Sequence, residues 1–489
     1  MLKLTEIRNT KARVISFRDP AGRLLTLNER IFRLVTPEGL TDLRAFLDST
    51  TFSRFTERGS IVHTEFLDRE SSERLVRNAE IQDPFYRQAI RVVEHERIPF
   101  QSFPYEWPPE MLYRAASLTL DLAESLLNEG LGLKDATPYN ILFRGASPVF
   151  VDILSFEKRD AFDPVWLAMA QFERTFLLPL LANKYLGISL EQLLTTRRDG
   201  LEPEDLYQAC GPFQRLKPLF LSTVSIPAWL NRKRNPDDPS LYEKKSLNSA
   251  EKAQFIVSCL IRRLRKSLST LKPQSDLKST WSGYLEANNN YSEEHFQTKQ
   301  EFVTQAIEEF RPRRVLDVGC NTGHFSAVAA RSGAGVVAID YDPVVVGKTW
   351  RRAESEGLDI LPLVVNLTRP TPAMGWRNQE CPSFLSRARG HFNAVLMLAV
   401  IHHMLVTERI PLTEVIDLAA ELTTDLLIIE FIAPADSMFR RLLRGREQLF
   451  RYLTREHFEA TCGEHFEIIR TRHMEGTHRW LYVLKKRSC

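Results

Sequence analysis

The chain has 489 residues, more than one compact core usually holds, so two or three domains are expected. Apolar residues make up 43% and charged residues 26%, a composition that excludes a wholly disordered chain. Lys and Arg number 65 against 62 Asp and Glu, and the net charge of +3 gives no electrostatic argument for a nucleic-acid-binding protein.

Cysteine usage and hydropathy indicate the compartment. The six cysteines are scattered, with no CxxC pair and no neighbouring His cluster, so neither a zinc site nor a disulfide framework is predicted. The N-terminus interrupts its apolar positions with charges and does not form a signal sequence. The most apolar runs, residues 176–187 and 392–401, are shorter than the roughly 20 residues that span a bilayer. We therefore expect a cytoplasmic protein without stable membrane insertion.

Residues 133–157 carry the main polar pattern of the first half, LKDATPYNILFRGASPVFVDILSFE. Asp135 and Asn140 have D-x4-N spacing, and Asp152 follows a predicted hairpin. This order resembles the catalytic loop and metal-binding Asp of protein kinases and aminoglycoside-phosphotransferase-like enzymes. The resemblance implies that Asp135 orients an acceptor hydroxyl, while Asn140 and Asp152 hold Mg²⁺ on ATP.

The other half of a kinase is poorly represented. No Gly-rich loop precedes residues 59–68, and His63 falls about where a strand Lys is needed. Without that Lys and loop, the triphosphate lacks its usual cradle. We therefore expect residues 1–230 to form a degenerate α+β kinase-like domain that binds the acceptor or a partner. An unrelated α+β domain is the alternative.

Residues 231–280 are predicted to be a basic linker with a helix. The polar, Pro-containing start of this region indicates an exposed connection. The following run, AEKAQFIVSCLIRRLRKSLSTL, places apolar residues at helical spacing with Arg or Lys between them: Phe255, Cys259, Leu260, Leu264 and Leu268. Such a helix can dock on acidic lipid or RNA, or pack on its own protein with a solvated basic face. The last interpretation is preferred.

Strands and helices alternate after residue 279, and the final segments FEIIRTRH and HRWLYVLKK suggest a closing antiparallel pair. Near-continuous apolar strands that alternate with helices predict an α/β fold with a parallel sheet covered on both faces. The predicted strands are 313–319, 335–340, 360–367, 392–400 and 425–433, and the predicted helices are 298–310, 324–333 and 411–422.

A glycine-bracketed turn, VLDVGCNTGHFSAVAA, joins the first of these strands to its helix. Gly319 and Gly323 permit a ligand to approach the backbone closely, and the N–H groups of the turn favour a polar or anionic group. The spacing is GxxxG rather than GxGxxG, and the absence of a following GK[ST] excludes a P-loop. Asp317 precedes the turn, where it can take an ammonium group, and Asp340 ends the second strand, where it can bond ribose hydroxyls.

An ammonium site, a carboxylate site and a ribose site together describe S-adenosylmethionine (SAM). Residues 281–489 resemble class I SAM-dependent methyltransferases, with a Rossmann-like seven-stranded sheet. The resemblance implies that the methionine part is held by Asp317, Gly319, Asn321 and Gly323, the ribose by Asp340, and the adenine by Tyr341 and Asn366. Asn321 stands where the family has a middle glycine, and Asn tolerates left-handed backbone angles. The alternative is a structural turn of another α/β fold.

The acceptor of such a sheet lies over the fourth strand, which ends in LMLAVIHHML. The [DNS]PP[YFW] signature that resembles amino-methylating enzymes is missing, which makes an exocyclic amine a less favoured acceptor. His402 and His403 are placed to take a proton from a hydroxyl, with His402 slightly preferred, unless they only cap the strand. Glu430 is a second candidate base, and a structural role is preferred for it.

Three aromatic residues before the first methyltransferase helix are candidates for a lid over the site, although a role in the core is preferred: Trp281, Tyr284 and Tyr291. Arg479 and Trp480, in the closing hairpin, are expected to serve packing and surface.

The whole chain resembles bacterial nodulation-type or polysaccharide-associated methyltransferases through the phrases KDATPYNILF, FVDILSFE, LDVGCNTGHFS and LAVIHHMLVTERIPL. The resemblance implies SAM-dependent O-methylation of a glycan, glycolipid or small-molecule hydroxyl. The alternatives are a bifunctional kinase and methyltransferase that uses ATP and Mg²⁺, a non-catalytic SAM-binding protein, and an RNA-modifying enzyme. The last of these depends only on the basic helix.

Overall fold

The computed structural model describes residues 13–14, 18–78, 91–233, 246–279, 281–282 and 293–487. The chain divides into two compact units. The first comprises Met1–Tyr105, Met111–Phe143 and Ser147–Pro273, and the second comprises Glu106–Glu110, Arg144–Ala146 and Gln274–Cys489.

The first half of the chain is a mixture of antiparallel strands and helices. Its described strands are β1 (Arg13–Val14), β2 (Gly22–Leu27), β3 (Arg30–Val35), β4 (Thr64–Phe66), β5 (Arg91–His95), β6 (Leu131–Leu133), β7 (Ile141–Arg144), β8 (Ser147–Phe150) and β9 (Phe156–Lys158). Its described helices are α1 (Pro37–Leu47), α2 (Thr50–Glu57), α3 (Arg69–Asn78), α4 (Pro109–Leu127), α5 (Met169–Phe172), α6 (Leu178–Leu186), α7 (Leu190–Thr196), α8 (Pro203–Ala209), α9 (Pro212–Arg215), α10 (Pro218–Phe220), α11 (Ile226–Lys233) and α12 (Ala250–Thr270).

An antiparallel sheet of five strands, in the order β1-β2-β3-β5-β4, forms the first part of the first unit. Two short strand pairs, β6-β9 and β7-β8, surround the turn Pro138–Asn140, in which the D-x4-N pattern ends. This α+β content agrees with the predicted class, and the kinase-like assignment stays a prediction.

The predicted basic helix is present as α12, and its buried side chains lie within the first unit. They recur every three or four positions: Ala253, Val257, Ile261, Leu264 and Leu268. The predicted stripe is right at Leu264 and Leu268 and wrong before them, because Phe255 is exposed and Cys259 and Leu260 are only half-buried and lie off this series. On the polar side, Arg265 pairs with Asp121 at 2.8 Å and Glu124 at 2.9 Å.

The second unit is built around one sheet. Its strands are β10 (Arg314–Val318), β11 (Gly335–Asp340), β12 (Ile360–Val364), β13 (Phe392–Met397), β14 (Thr423–Ile432), β15 (Phe466–His473) and β16 (Arg479–Lys486). Its described helices are α13 (Glu293–Phe310), α14 (His324–Arg331), α15 (Pro343–Glu356), α16 (Phe384–Ala388), α17 (Ile401–Val406), α18 (Leu412–Leu422), α19 (Ser437–Leu443) and α20 (Arg455–Gly463).

The strand order is β12-β11-β10-β13-β14-β16-β15, with β10 to β14 parallel and β16 antiparallel to both of its neighbours. The predicted seven-stranded sheet and its closing antiparallel pair are confirmed. The chain order reverses between β10 and β13, so a crevice opens at the carboxyl ends of these strands. Among the described residues, no helix combines the length and apolar character needed to cross a bilayer.

The third and fourth parallel strands end earlier than predicted. β12 ends at Val364 and β13 at Met397, although the apolar sequence continues in both cases. The apolar residues that follow, such as Leu367 and Leu398, line a cavity instead of pairing with another strand. These apolar residues therefore form part of the cavity wall and do not extend the sheet.

Candidate active site

A cavity of about 370 Å³ lies at the crevice of the second unit. The structure brings six of the predicted cofactor-binding residues to its wall: Asp317, Gly319, Asn321, Asp340, Tyr341 and Asn366. The seventh, Gly323, is not in the wall but begins α14 directly behind it.

The turn between β10 and α14 adopts left-handed backbone angles at three positions. The φ angles are +70° at Gly319, +50° at Asn321 and +72° at Gly323. Asn321 therefore takes the conformation that the usual glycine would take. Its side chain adds two bonds, because Nδ2 donates to the Trp281 carbonyl at 3.1 Å and Oδ1 accepts from the Thr322 N–H at 2.7 Å.

The two glycines also provide close packing. A Cβ atom on Gly323 would lie 2.5 Å from Cγ2 of Thr349, on α15. A Cβ atom on Gly319 would lie 3.2 Å from Cγ2 of Val400, which lines the cavity. The absence of a side chain at these two positions thus lets the turn pack closely on Thr349 and Val400.

Asp340 is the last residue of β11, and its carboxylate holds this turn by a hydrogen bond. Its Oδ2 accepts the Asn321 N–H at 3.1 Å, and its Oδ1 accepts the Asp342 N–H at 3.0 Å. Burial raises the pKa of the Asp340 carboxyl to about 6, although both backbone bonds act in the opposite direction. A carboxylate oxygen can accept further bonds, so this group can also receive ligand hydroxyls.

Asp317 is the second buried carboxylate of the cavity. Ser326 Oγ donates to its Oδ2 at 2.6 Å. Burial raises the pKa of Asp317 to about 6, and the negative charge of Asp340 acts in the same direction. A cationic ligand group would relieve the repulsion between the two carboxylates. Two carboxylates that accept hydrogen bonds fit the ammonium and ribose hydroxyl groups of SAM, which donate them.

The far end of the cavity has an apolar and amide character. Tyr341 is exposed at the rim, while Ile339, Val365 and Leu367 provide apolar wall. Asn366 is held by Thr368, whose N–H donates to Oδ1 at 3.0 Å and whose hydroxyl donates to it at 2.6 Å. This arrangement leaves the Asn366 amide NH₂ available as a donor, which suits an aromatic heterocycle.

The two histidines of α17 have different positions. His403 lines the cavity, and burial lowers its pKa. His402 is buried and outside the cavity wall, and its Nδ1 has no hydrogen-bond partner. Burial lowers the pKa of His402 well below its ordinary value, and the charge of His403 acts in the same direction. The two rings are 4.2 Å apart.

Trp281 is the described member of the predicted aromatic lid. Its ring meets His403 edge-on with centroids 5.3 Å apart, and it lines the cavity. Tyr284 and Tyr291 lie outside the described residues.

A chain of buried charges supports the cavity, and its first member, Lys299, was not predicted from the sequence. Lys299 Nζ lies 2.6 Å from Glu430 Oε2, and Arg479 Nη1 lies 3.4 Å from Glu430 Oε1. Arg479 also holds Asp436 at 2.8 Å, and Asp436 caps α19. Glu430 is fully buried and is not in the cavity wall, which agrees with a structural role. Arg479 is buried too, so its role is in the interior.

Lys299 itself lines the cavity. The sequence does contain an indication of its burial. Lys299 lies in the apolar stripe of α13, one helical turn before Phe302 and Val303. A lysine at such a position is buried only when it is paired.

The polar residues of the first unit form a separate cluster. Arg33, on β3, places Nη1 2.7 Å from Oδ1 of Asp152, and Ser155 Oγ donates to Oδ2 at 2.7 Å. Asn140 Nδ2 donates to Ser155 Oγ at 3.0 Å. Burial raises the pKa of Asp152, but the Arg33 charge and the hydrogen bonds from Ser155 and Arg33 lower it more, so the pKa lies below its ordinary value. Burial raises the pKa of Asp135, and the charge of Asp152 acts in the same direction.

These residues do not fit a Mg²⁺ ion. The guanidinium of Arg33 lies 2.7 Å from Oδ1 of Asp152, and its positive charge would repel a metal ion bound to that carboxylate. Among the described residues, no group of three His, Cys, Asp or Glu side chains is arranged to hold a metal. His63 is exposed, so the strand cation that meets Asp152 is Arg33, which the sequence analysis missed.

A family profile described as "Methyltransferase domain" matches residues 291–477. The predicted enzyme class is confirmed: this chain is a SAM-dependent methyltransferase. Its methyltransferase domain contains the cavity residues from Phe296 to Glu408.

The chain is 29% identical over 473 residues to nodulation protein NoeA of Rhizobium meliloti (strain 1021), covering 96% of this chain and 95% of NoeA. The WbdD structure is 16% identical, with a TM-score of 0.31 over 43% of this chain and 45% of that chain. A magnesium protoporphyrin IX methyltransferase from Synechocystis PCC 6803, solved with bound SAH, is 19% identical, with a TM-score of 0.31 over 42% of this chain and 93% of that chain. TM-scores this low establish no functional relation.

Replacing Asp340 tests the ribose assignment. Asp340→Ala should weaken SAM binding by about 2 kcal/mol, or roughly 30-fold, because charge-assisted hydrogen bonds are lost. Asp359→Ala is the control. Asp359 directly precedes β12, at the amino end of that strand, and does not line the cavity. Calorimetric titration with SAM measures both variants. An unchanged affinity for Asp340→Ala would show that the ribose lies elsewhere.

The pH dependence of SAM binding tests the two buried carboxyls. Their folded-state pKa values of about 6 mean that they are mostly ionised at pH 7 and mostly protonated at pH 5. SAM needs the ionised forms, so its affinity should fall as the pH decreases through 6, by about tenfold per group at pH 5. Titrations between pH 5 and 8 measure this. A flat profile contradicts the assignment, and Asp340→Asn should reduce the slope.

The Arg33–Asp152 pair predicts that the first unit does not turn over ATP. We expect no Mg²⁺-dependent ADP release from the full chain. Arg33→Met should instead lower the free energy of unfolding by about 3 kcal/mol, because Asp152 is left without its counter-charge. Arg58→Met, at an exposed arginine of the same unit, is the control. Sustained ADP release that Asp152→Ala abolishes would contradict this prediction.

Proposed function

We propose that the chain transfers the methyl group of SAM to a hydroxyl oxygen of a glycan, a glycolipid or a small molecule, with His403 as the general base. The observation that carries the proposal is the position of His403, in the wall of the same cavity as Asp317 and Asp340. A base must be able to reach the proton that it removes, and among the two histidines only His403 lines the cavity.

The protonation state of His403 supports this role. Burial lowers its pKa, so the imidazole is neutral at pH 7 and can accept a proton. His402, whose pKa is lowered further, lies against it with ring centroids 4.2 Å apart. We assign His402 to the positioning of His403, which reverses the order of preference given by the sequence alone.

The cofactor assignment follows the cavity wall. Asp317 takes the ammonium group of SAM, the turn at Gly319 and Asn321 receives its carboxylate, and Asp340 accepts the two ribose hydroxyls. Tyr341 and Asn366 hold the adenine. Gly323 acts from behind the wall through its close packing on Thr349.

Bound SAM supplies a methyl group on a sulfonium sulfur, which an oxygen nucleophile takes in one displacement that leaves S-adenosylhomocysteine. The chain then has to hold the acceptor and remove its proton. His403 receives that proton, and the carboxylates keep the cofactor fixed while this occurs. Positioning of two bound reactants accounts for a large part of the rate of such a reaction.

Trp281 supports a sugar as the acceptor. Its indole lies beside His403 and presents apolar surface at the point where the acceptor hydroxyl must approach. Thr407 and Glu408 are polar and also line the cavity, which suits further hydroxyl groups, and Glu408 is oriented by Arg369 at 2.8 Å. The first unit is assigned to binding of the acceptor or of a partner and not to phosphoryl transfer, because Arg33 occupies Asp152.

The base assignment predicts different effects for the two histidines. His403→Asn should lower the rate of methyl transfer by 100-fold or more and leave the affinity for SAM within about twofold, because proton removal is lost while the cofactor site remains. His402→Asn should have a smaller effect. Transfer of radiolabelled methyl from SAM to carbohydrate and lipid extracts measures the rate, and calorimetry measures the affinity.

Two outcomes would oppose the proposal. Full activity of His403→Asn together with loss of activity in His402→Asn would exchange the two roles. Label found only in protein or RNA, instead of carbohydrate or lipid, would exclude the proposed acceptor class.

A further inference from the structure

Helix α11 turns an apolar face to solvent. Ile226, Trp229 and Leu230 have the spacing i, i+3, i+4 and therefore lie on one side of the helix. Trp229 is 41% exposed and Leu230 is 58% exposed, while Ala228, on another side, is buried. An amphipathic helix normally directs its apolar stripe to the core, whereas α11 exposes these three apolar side chains to solvent.

Helix α9 and the residue that follows it extend the apolar surface. Phe213 is 89% exposed and Leu216 is 64% exposed, in and just after α9. The two segments are adjacent, because Ser225 Oγ donates to the Arg215 carbonyl at 2.8 Å. Single exposed apolar residues are ordinary on a protein surface, but five on adjacent segments form a patch. We call Phe213, Leu216, Ile226, Trp229 and Leu230 the α11 face.

Basic side chains flank the α11 face. Tyr207, on α8, meets Trp229 edge-on with ring centroids 6.1 Å apart, and two guanidinium carbons lie 4.1 Å and 5.3 Å from its ring, those of Arg215 and Arg232. Lys217 is exposed beside Leu216.

The acidic groups of α8 do not cancel this charge. Asp205 is paired with Arg197 at 3.2 Å. Glu204 is then the one acid of α8 that has no ion pair among the described residues. Counting only described side chains of α8, of 215–217 and of α11, three cations therefore stand against the one unpaired carboxylate of α8.

We propose that the α11 face docks the protein on the surface of an anionic lipid bilayer. Apolar side chains of this kind enter the boundary between headgroups and acyl chains, and a tryptophan ring is favoured at that depth. Arginine and lysine at the rim pair with lipid phosphates. Charge complementarity thus selects anionic lipid over a neutral surface. The inference is independent of the acceptor proposed above, since the α11 face belongs to the first unit.

Sedimentation of the full chain with vesicles tests the inference. Binding to vesicles that contain phosphatidylglycerol should be at least about tenfold stronger than to phosphatidylcholine alone, because the cations contribute. Phe213→Ser combined with Leu230→Ser should weaken the binding by at least about tenfold, since apolar surface is removed from the interface. Leu449→Ser, at an exposed leucine of the second unit, is the matched control and should bind as the unchanged chain does.

All three variant side chains are exposed, so the affinity for SAM and the melting temperature should stay as they are in the unchanged chain. Absence of binding to either vesicle would overturn the inference, as would equal binding by the double variant. The inference would also be overturned if the unchanged full chain formed a dimer and the double variant were a monomer. That result would assign the α11 face to contact with a second copy of the chain.

Discussion

The active-site cavity depends on one carboxylate that joins two strands. Asp340 ends β11, yet it accepts the N–H of Asn321 in the turn after β10, as well as that of Asp342 in its own turn. The left-handed turn at Gly319, Asn321 and Gly323 is strained for ordinary residues, and these bonds help to hold it. Because the carboxylate remains in the cavity wall, the same group both shapes the turn and faces the cavity.

This arrangement places two buried carboxyls in one cavity, where their ionised forms are disfavoured by burial and by mutual repulsion. Burial raises the pKa values of Asp317 and Asp340 to about 6, so the two carboxyls take up protons below pH 6 and a cationic group beside them would favour their ionised forms. Lys299 moderates the repulsion on one side, and it is itself held by Glu430. The buried charges from Lys299 to Asp436 thus connect the floor of the cavity to the cap of α19.

Where the signal is local, the sequence predicted which residues come together in the cavity wall. Strand periodicity, the paired glycines and the two aspartates at strand ends all lie within short segments, and parallel strands bring their carboxyl ends together. Pairings between distant segments could not be predicted in this way. Lys299 meets Glu430 across 131 positions of sequence, and Arg33 meets Asp152 across the first unit. The adjacent residues His402 and His403 differ by about 100° of helix rotation, and one-dimensional spacing does not show which of them faces the cavity.

A structure of the chain crystallised with S-adenosylhomocysteine tests the account most directly. We expect both ribose hydroxyls within hydrogen-bond distance of the Asp340 carboxylate, the amino group beside Asp317, and the sulfur directed toward the side of the cavity formed by Val400 and His403. A nucleoside that is bound at another place, or one whose ribose makes no contact with Asp340, would contradict the claim that this carboxylate both builds the turn and recognises the cofactor.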